Sequence, residues 1–61
     1  MTKQYTVYAH SLTLGQDVET NEVFQVEGPA VDKAAGFARE LRESQHLGAT
    51  DWEAWVRILG S

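Results

Sequence analysis

The sequence of 61 residues contains no cysteine and only one proline. Without cysteine the chain can form neither disulfides nor thiolate metal sites, which are two common means of stabilising a very small domain. A domain of this length buries only about 60% of the surface of its unfolded chain, so its core is small. Good packing or association with another chain must supply the remaining stability.

Patterns that bind metals or cofactors are also missing. The two histidines, His10 and His46, lie far apart with no ligand-spaced companions, which argues against a structural zinc site. The chain has no glycine-rich phosphate loop, no dinucleotide-binding fingerprint and no His-Glu-x-x-His pattern. We therefore predict that the protein uses no cofactor and no metal.

Carboxylates are concentrated in one part of the chain. They are Asp17, Glu19, Glu22 and Glu27. Their spacing could bring oxygen atoms to a calcium ion, but the turn glycine and the final bidentate glutamate of a calcium-binding loop are absent. We interpret these carboxylates as solvated charge in and after a loop.

Long apolar runs and an excess of basic residues are absent too. No run approaches the roughly 18 residues of a membrane span, and the first residues lack the apolar segment of a secretory signal. Five Lys and Arg residues stand against nine Asp and Glu residues, and this net charge of −4 opposes attraction to nucleic acid or anionic membrane. We expect one cytoplasmic domain, residues 1–61, with no membrane partner.

The most informative stretch that is present runs from Pro29 to His46. Its apolar residues recur with helical spacing, at Ala30, Ala34, Phe37, Ala38 and Leu41. Pro29 suits the first helical position, and Gly48 suits a left-handed stop after the last turn. Gly36 costs roughly 1 kcal/mol relative to alanine, and it is either tolerated or a point of close backbone approach. We predict a helix that covers a short sheet.

Three other segments have the composition and alternation of strands. Residues 4–12 are rich in aromatic and β-branched types, and residues 21–27 and 51–59 alternate between two faces. Two turn signals, at residues 15–17 and 20–21, compete between the first two segments, so the hairpin register stays open. The last segment has a helical alternative, because its start resembles a capping box.

The order of these elements predicts an α+β fold, a small ββαβ domain. Its three-stranded antiparallel sheet has the order 2-1-3, with the helix packed on one face. Neither face of the first strand is plainly polar, so the open face receives either Tyr8 and His10 or Tyr5 and Val7. We favour Val7 and Ala9 under the helix, because they suit a stripe made mostly of alanine. The other residues expected there are Phe24, Val26, Trp52, Ala54, Val56 and Ile58.

A catalytic site is the weaker interpretation of the polar residues. His10 and Ser11, with Asp17 or Asp51, are the types found in hydrolytic sites. Adjacent residues of a strand point to opposite faces, so His10 is poorly placed to activate Ser11, and so small a domain offers little room for a pocket. We predict no catalytic residues and no enzymatic activity, and we interpret His10 as a residue of the sheet surface.

The face of the sheet without a helix is the predicted interaction surface. Its members are Tyr8, His10, Val23, Trp55, Arg57 and Leu59. Exposed apolar patches on small proteins usually mark interfaces, and Trp, Tyr and Arg are enriched at interface hot spots. An alternative is that the loop around Leu12 and Leu14 covers Trp55.

These observations favour a small non-enzymatic protein-interaction module, of the accessory or regulatory kind. We expect it to associate through the helix-free face, as a homodimer or with a partner protein, with pairing of strand edges as a competing geometry. The alternative function is a sheet-based binder of single-stranded nucleic acid that stacks bases on Tyr8 and Trp55. The acidic charge balance opposes that alternative.

Overall fold

The computed structural model describes residues 3–59. Strand β1 spans Gln4–Ser11, strand β2 spans Gln16–Glu19, helix α1 spans Glu27–Ser44 and strand β3 spans Trp52–Leu59. A short 3-10 turn, His46–Gly48, follows the helix. Both strand pairs are antiparallel, and β1 lies in the centre of the order β2-β1-β3. The predicted α+β fold with one helix on a three-stranded sheet is confirmed.

The second strand is shorter and earlier than the predicted segment 21–27. Of the two turn signals the first forms the hairpin, because Gly15 adopts a left-handed φ of 65° and its N–H bonds to Ser11 O at 2.8 Å. From the predicted strand only Phe24 pairs, in a single bridge to Tyr5 with two bonds of 2.8 Å. The predicted strand around Phe24 is therefore a connection between β2 and the helix, in which Phe24 is the residue that pairs with the sheet.

Helix α1 begins and ends two residues earlier than predicted. Val26 precedes it with extended backbone and provides no side-chain cap. At the other end Gln45 adopts a left-handed φ of 52°, so the helix stops there and Gly48 ends the following 3-10 turn instead. The early stop places the carbonyl of His46 where it accepts a hydrogen bond from Trp52 Nε1 at 3.0 Å.

The core lies between the helix and one face of the sheet. One cluster joins Ala9, Leu41, Ala49 and Trp52, and a second joins Val7, Ala30 and Ala34. Phe37 packs against both clusters and connects them. The predicted helix stripe is therefore confirmed, and the segment predicted as a strand over residues 51–59 forms β3, one residue shorter at its start.

Two residues expected under the helix are not covered by it. Ile58 is 54% exposed near the end of β3, and Val26 is exposed where the chain enters the helix. The buried stripe of the helix consists mainly of alanine, so the helix lies close to the sheet and has little side-chain width with which to cover its margins.

Candidate functional site: the helix-free sheet face

The helix-free face is defined by the alternation of β1. Val7 and Ala9 are fully buried beneath the helix, so Tyr8 and His10 lie on the opposite side of the sheet. Residues directly opposite on neighbouring antiparallel strands share a face. Tyr8 lies opposite both Glu19 of β2 and Trp55 of β3.

An aromatic and cationic cluster occupies the middle of this face. The ring centroids of Tyr8 and Trp55 are 5.7 Å apart, and the Arg57 guanidinium lies 4.5 Å above the centre of the Tyr8 ring. Arg57 also forms a salt bridge with Glu19 across the sheet. Trp55 remains 44% exposed, so a large aromatic surface meets solvent at a fixed position.

Carboxylates border this cluster on two strands. His10 Nδ1 lies 2.5 Å from Asp17 Oδ1, and on its other side His10 lies opposite Glu53. With Glu19, the face carries three carboxylates against the one guanidinium of Arg57. The face is therefore acidic around an aromatic centre.

The structure places the predicted interaction residues unequally. Tyr8, His10, Trp55 and Arg57 lie together on the helix-free face, and Leu59 lies at its end, opposite Gln4. Val23 does not belong to it, because this residue follows β2 and lies exposed in the connection to the helix.

The loop does not cover Trp55. Leu12 is 81% exposed, and Leu14 packs against the cluster of Ala9 and Trp52 on the helix side of the sheet. The alternative in which this loop covers Trp55 is therefore wrong, and the aromatic centre of the face stays open.

Sequence reasoning missed two face residues, Asp17 and Glu19, because the predicted second strand lies too late in the chain and leaves both in a loop. The left-handed turn at Gly15 was the signal that could have placed them, since a strand that begins at Gln16 faces β1 directly. The alternation of the last strand puts Glu53 on the face of Trp55, although Glu53 is not among the predicted interaction residues.

The residues considered for hydrolysis are separated by the sheet. Ser11 is fully buried on the helix side, and its hydroxyl donates to Asp51 Oδ1 at 2.6 Å. His10 lies on the other face with Asp17. The structure therefore does not bring His10, Ser11 and Asp51 together.

Asp51 instead connects the hairpin loop to the start of β3. Besides Ser11, it accepts hydrogen bonds from the backbone N–H of Thr13 at 2.9 Å and from its hydroxyl at 3.1 Å. The hydrogen bond from Ser11, followed by that from the Thr13 backbone, lowers the pKa of Asp51, because both stabilise the carboxylate. These contacts give Asp51 a structural role.

The carboxylates that could have approached calcium are dispersed. Asp17 contacts His10, Glu19 contacts Arg57, and Glu22 Oε1 lies 3.0 Å from Lys33 Nζ. Glu27 lies in the first turn of the helix. Across residues 3–59, no group of three or more His, Asp or Glu side chains is arranged to hold a metal ion.

An open cleft of about 430 Å³ lies between α1 and β3. Its lining residues are Ala34, Ala35, Ala38, Arg39, Arg42, Glu53, Ala54 and Trp55. Small helix residues create it, because their side chains do not reach across the margin of the sheet.

Comparison with known proteins yields no relative: no family model, no curated protein and no solved structure matches the chain. In the part of the chain that the structure describes, no helix is long and apolar enough to cross a membrane.

Proposed function

We propose that the chain is a small non-enzymatic interaction module that contacts another protein through its helix-free face. The observation that carries this proposal is the exposure of Trp55 in the middle of the sheet, beside Tyr8 and Arg57. These three residue types dominate hot spots of protein interfaces.

The cluster is also pre-organised, which favours binding. Tyr8 stacks with Trp55, and Arg57 is held between the Tyr8 ring and Glu19. Because strands and mutual contacts fix these side chains before a partner arrives, little conformational entropy is lost when they become buried.

The charges of the face favour a different protein as its partner. Asp17, Glu19 and Glu53 border the aromatic centre, and Arg57 is already paired with Glu19. Stacking this face on its own copy would bring two acidic surfaces together, which is unfavourable. A partner segment with apolar and basic side chains fits better, and we place this interaction in the cytoplasm, where a chain without cysteine loses nothing to reduction.

The same carboxylates argue against the nucleic-acid alternative. Tyr8 and Trp55 could stack bases, which is the observation in favour of that function. A phosphate chain that follows the bases would pass Asp17, Glu19 or Glu53, and its repulsion there is not offset by a basic track.

Affinity capture with matched variants tests the proposal. Wild type, Trp55→Glu and Leu47→Glu are used as baits with extract of the native host. Leu47 is exposed but lies in the 3-10 turn away from the face, so its variant controls for added charge. We expect one protein that wild type and Leu47→Glu retain and Trp55→Glu loses.

Nuclear magnetic resonance with the purified captured protein then locates the contact. The Trp55 indole N–H should shift on binding, while that of buried Trp52, which is bonded to His46 O, should not. Equal retention by all three baits, or a shift confined to residues outside the face, would refute the proposed surface.

A further inference from the structure

The outer edge of β3 presents unpaired backbone groups. The backbone groups of Tyr5, Val7 and Ser11 bond on the β2 side of β1, to Phe24, Thr20 and Gly15. Because bonding alternates along a strand, Tyr8 and its even-numbered neighbours bond to β3. In the observed register these even-numbered residues of β1 bond to residues 53, 55, 57 and 59 of β3. The backbone N–H and C=O groups of the alternate residues of β3 therefore point away from β1, at the outer edge of the sheet. These residues are Trp52, Ala54, Val56 and Ile58.

Only the beginning of this edge is capped. Arg42 Nη1 donates to Trp52 O at 2.8 Å, which confirms the outward direction of that carbonyl. Among residues 3–59, no other side chain bonds to the edge from Ala54 to Ile58, and no proline or lysine interrupts it. Proteins usually protect such an edge, so an open one is a site for strand pairing.

Apolar side chains accompany the open edge. Ile58 is 54% exposed, and Val31 of the helix is 52% exposed. Val31 lies one turn before Ala35, on the side of α1 that borders the cleft over Ala54. Unpaired backbone groups and exposed apolar groups therefore occur along the same margin.

We propose that a second copy of this chain pairs antiparallel with the β3 edge, with the two-fold axis at Val56. In this register Val56 lies opposite its own copy and Ala54 lies opposite Ile58. All free backbone groups of Ala54, Val56 and Ile58 are then bonded, and Trp52 keeps its bond to Arg42. One self-complementary edge satisfies both copies.

Side chains on both faces match this register. On the helix side, exposed Ile58 of each copy enters the cleft over Ala54 of the other. On the helix-free side, Trp55 lies opposite Arg57 of the second copy, a favourable pairing of a cation with an aromatic ring.

The helices fit the same arrangement. Since α1 packs on both β1 and β3, and strands are about 4.8 Å apart, two-fold pairing sets the helix axes about 10 Å apart, which is a normal packing distance. The helices meet near Val31 and Ala35. Arg39, which has no salt bridge among the residues described, then approaches the acidic start of the other helix, where Glu27 and Asp32 lie.

This pairing joins two sheets into one of six strands. It brings Arg57 of the second copy beside Trp55, while Tyr8 and the carboxylates of β2 stay open. The edge does not depend on the proposed function, because its bonds come from the backbone of Ala54, Val56 and Ile58, whose side chains lie on the helix side. The edge and the face can therefore be tested by separate variants.

Directed disulfide formation tests the register, and the absence of native cysteine makes single-cysteine variants unambiguous. Residues 53 and 59 are opposite each other at a non-hydrogen-bonded pair, where Cα atoms lie about 4.5 Å apart, close enough for a disulfide. Mild oxidation of Glu53→Cys mixed with a mass-tagged Leu59→Cys should give the mixed dimer in large excess over either homodimer. Preferential linkage of Glu53→Cys to Arg57→Cys, or no preference, would overturn the register.

Sedimentation equilibrium at micromolar concentration tests the pairing itself. We expect wild type and Val23→Lys to sediment as dimers, and Ile58→Lys to raise the dimer dissociation constant at least tenfold. Val23 and Ile58 are both exposed, so neither lysine disrupts the core, which circular dichroism verifies. A monomeric wild type, or a dimer that is lost with Tyr8→Glu and kept with Ile58→Lys, would overturn the proposal. The first result leaves capture of another protein by the face untouched, whereas the second would place self-association on the face itself.

Discussion

Single residues decide how the hairpin and β3 are joined, and Asp51 is the clearest example. It receives hydrogen bonds from Ser11 and from both donors of Thr13, three contacts that link residues about 40 positions apart in the chain. Ser11 has no exposed surface, so its hydroxyl depends on Asp51 as an acceptor. A buried donor without a partner is costly, which explains a carboxylate at this position.

The lowered pKa of Asp51 predicts a pH dependence of stability. A carboxylate with a lower pKa in the folded state stabilises the protein above its unfolded pKa of about 3.8, and this contribution is lost as pH falls through the folded value. Asp51→Asn should therefore lower the melting temperature at pH 7, and the difference from wild type should shrink below about pH 4. Thermal unfolding across this range is the measurement.

Glu40→Gln is the control for that series. Glu40 is an exposed carboxylate of the helix with no hydrogen bond among the described residues, so its variant should follow wild type at every pH. A melting-temperature difference for Asp51→Asn that stays constant from pH 7 to pH 3 would contradict the assigned role of the charge.

Phe37 is the residue on which the core most depends, because it packs against both buried clusters. Phe37→Ala should reduce the free energy of unfolding by about 3 kcal/mol, a large part of the stability of so small a domain. Val23→Ala removes an exposed apolar group that lies outside the core and outside both proposed contact surfaces, so it should change the unfolding free energy by less than about 0.5 kcal/mol. Urea denaturation measures the unfolding free energy of both variants. Equal losses would show that Phe37 does not lie in the buried stripe.

At the scale of the elements, helix α1 tolerates Gly36 and does not require it. A Cβ added at Gly36 meets no atom within 4 Å, so the glycine permits no close approach. Of the two interpretations of this residue, tolerance is the one that agrees with the structure. Gly36 therefore lowers the stability of the helix through its backbone freedom, and no closer packing offsets that loss.

Gly36→Ala should consequently stabilise the protein by about 1 kcal/mol. Gly15 provides the opposite case: its surroundings are equally open, but its φ of 65° is unfavourable for alanine. Gly15→Ala should therefore destabilise the hairpin. Chemical denaturation of both variants is the test, and a loss of stability in Gly36→Ala would show that the helix centre needs glycine.

The elements also show which parts of the fold could be predicted from sequence. The stripe from Ala30 to Leu41 has one period and is buried as that period requires, and β1 and β3 alternate over eight residues each. The position of β2 in the hairpin was harder to predict, because β2 has only four residues and its start depends on one left-handed turn at Gly15. The segment around Phe24 has the apolar pattern of a strand because the Phe24 side chain packs on the core, although its neighbours do not pair with the sheet.

The same reasons determined how much of the candidate site could be predicted. Trp55 and Arg57 lie on one long strand, so its alternation assigned them to one face. Alternation left the buried face of β1 undecided, and the small side chains of Val7 and Ala9, which suit an alanine-rich helix, favoured Tyr8 on the open face. Val23 was misplaced with the second strand, and the carboxylates of β2 were missed for the same reason. The contacts of Arg57 with the Tyr8 ring and Glu19 depend on cross-strand register, which a single sequence does not specify.

At the scale of the whole molecule, the charge distribution predicts weak binding of nucleic acid. A net charge of −4 and carboxylates on the aromatic face both repel phosphates, and stacking alone must overcome them. Fluorescence anisotropy with mixed-sequence single-stranded oligonucleotides at physiological salt should show no sub-micromolar binding. Tight binding that Trp55→Ala removes would favour the nucleic-acid function over the protein-interaction function.

Helix α1 leaves two surfaces of residues 3–59 uncovered. The helix-free face presents an aromatic centre with an acidic border, and the β3 edge presents unpaired backbone with apolar neighbours. Both arise from one cause, since a single alanine-rich helix covers only part of one side of a three-stranded sheet. Association with other chains is the function that we propose for these two surfaces.

Site-specific photo-cross-linking in cells of the native host tests that central claim most directly. A benzophenone amino acid replaces Tyr8, which lies on the face but away from the β3 edge, and in a control it replaces exposed Leu47. We predict that light produces a discrete heavier adduct with another protein from position 8 and not from position 47. No adduct at position 8, or the same adduct from both positions, would contradict the assignment of the helix-free face as the binding surface.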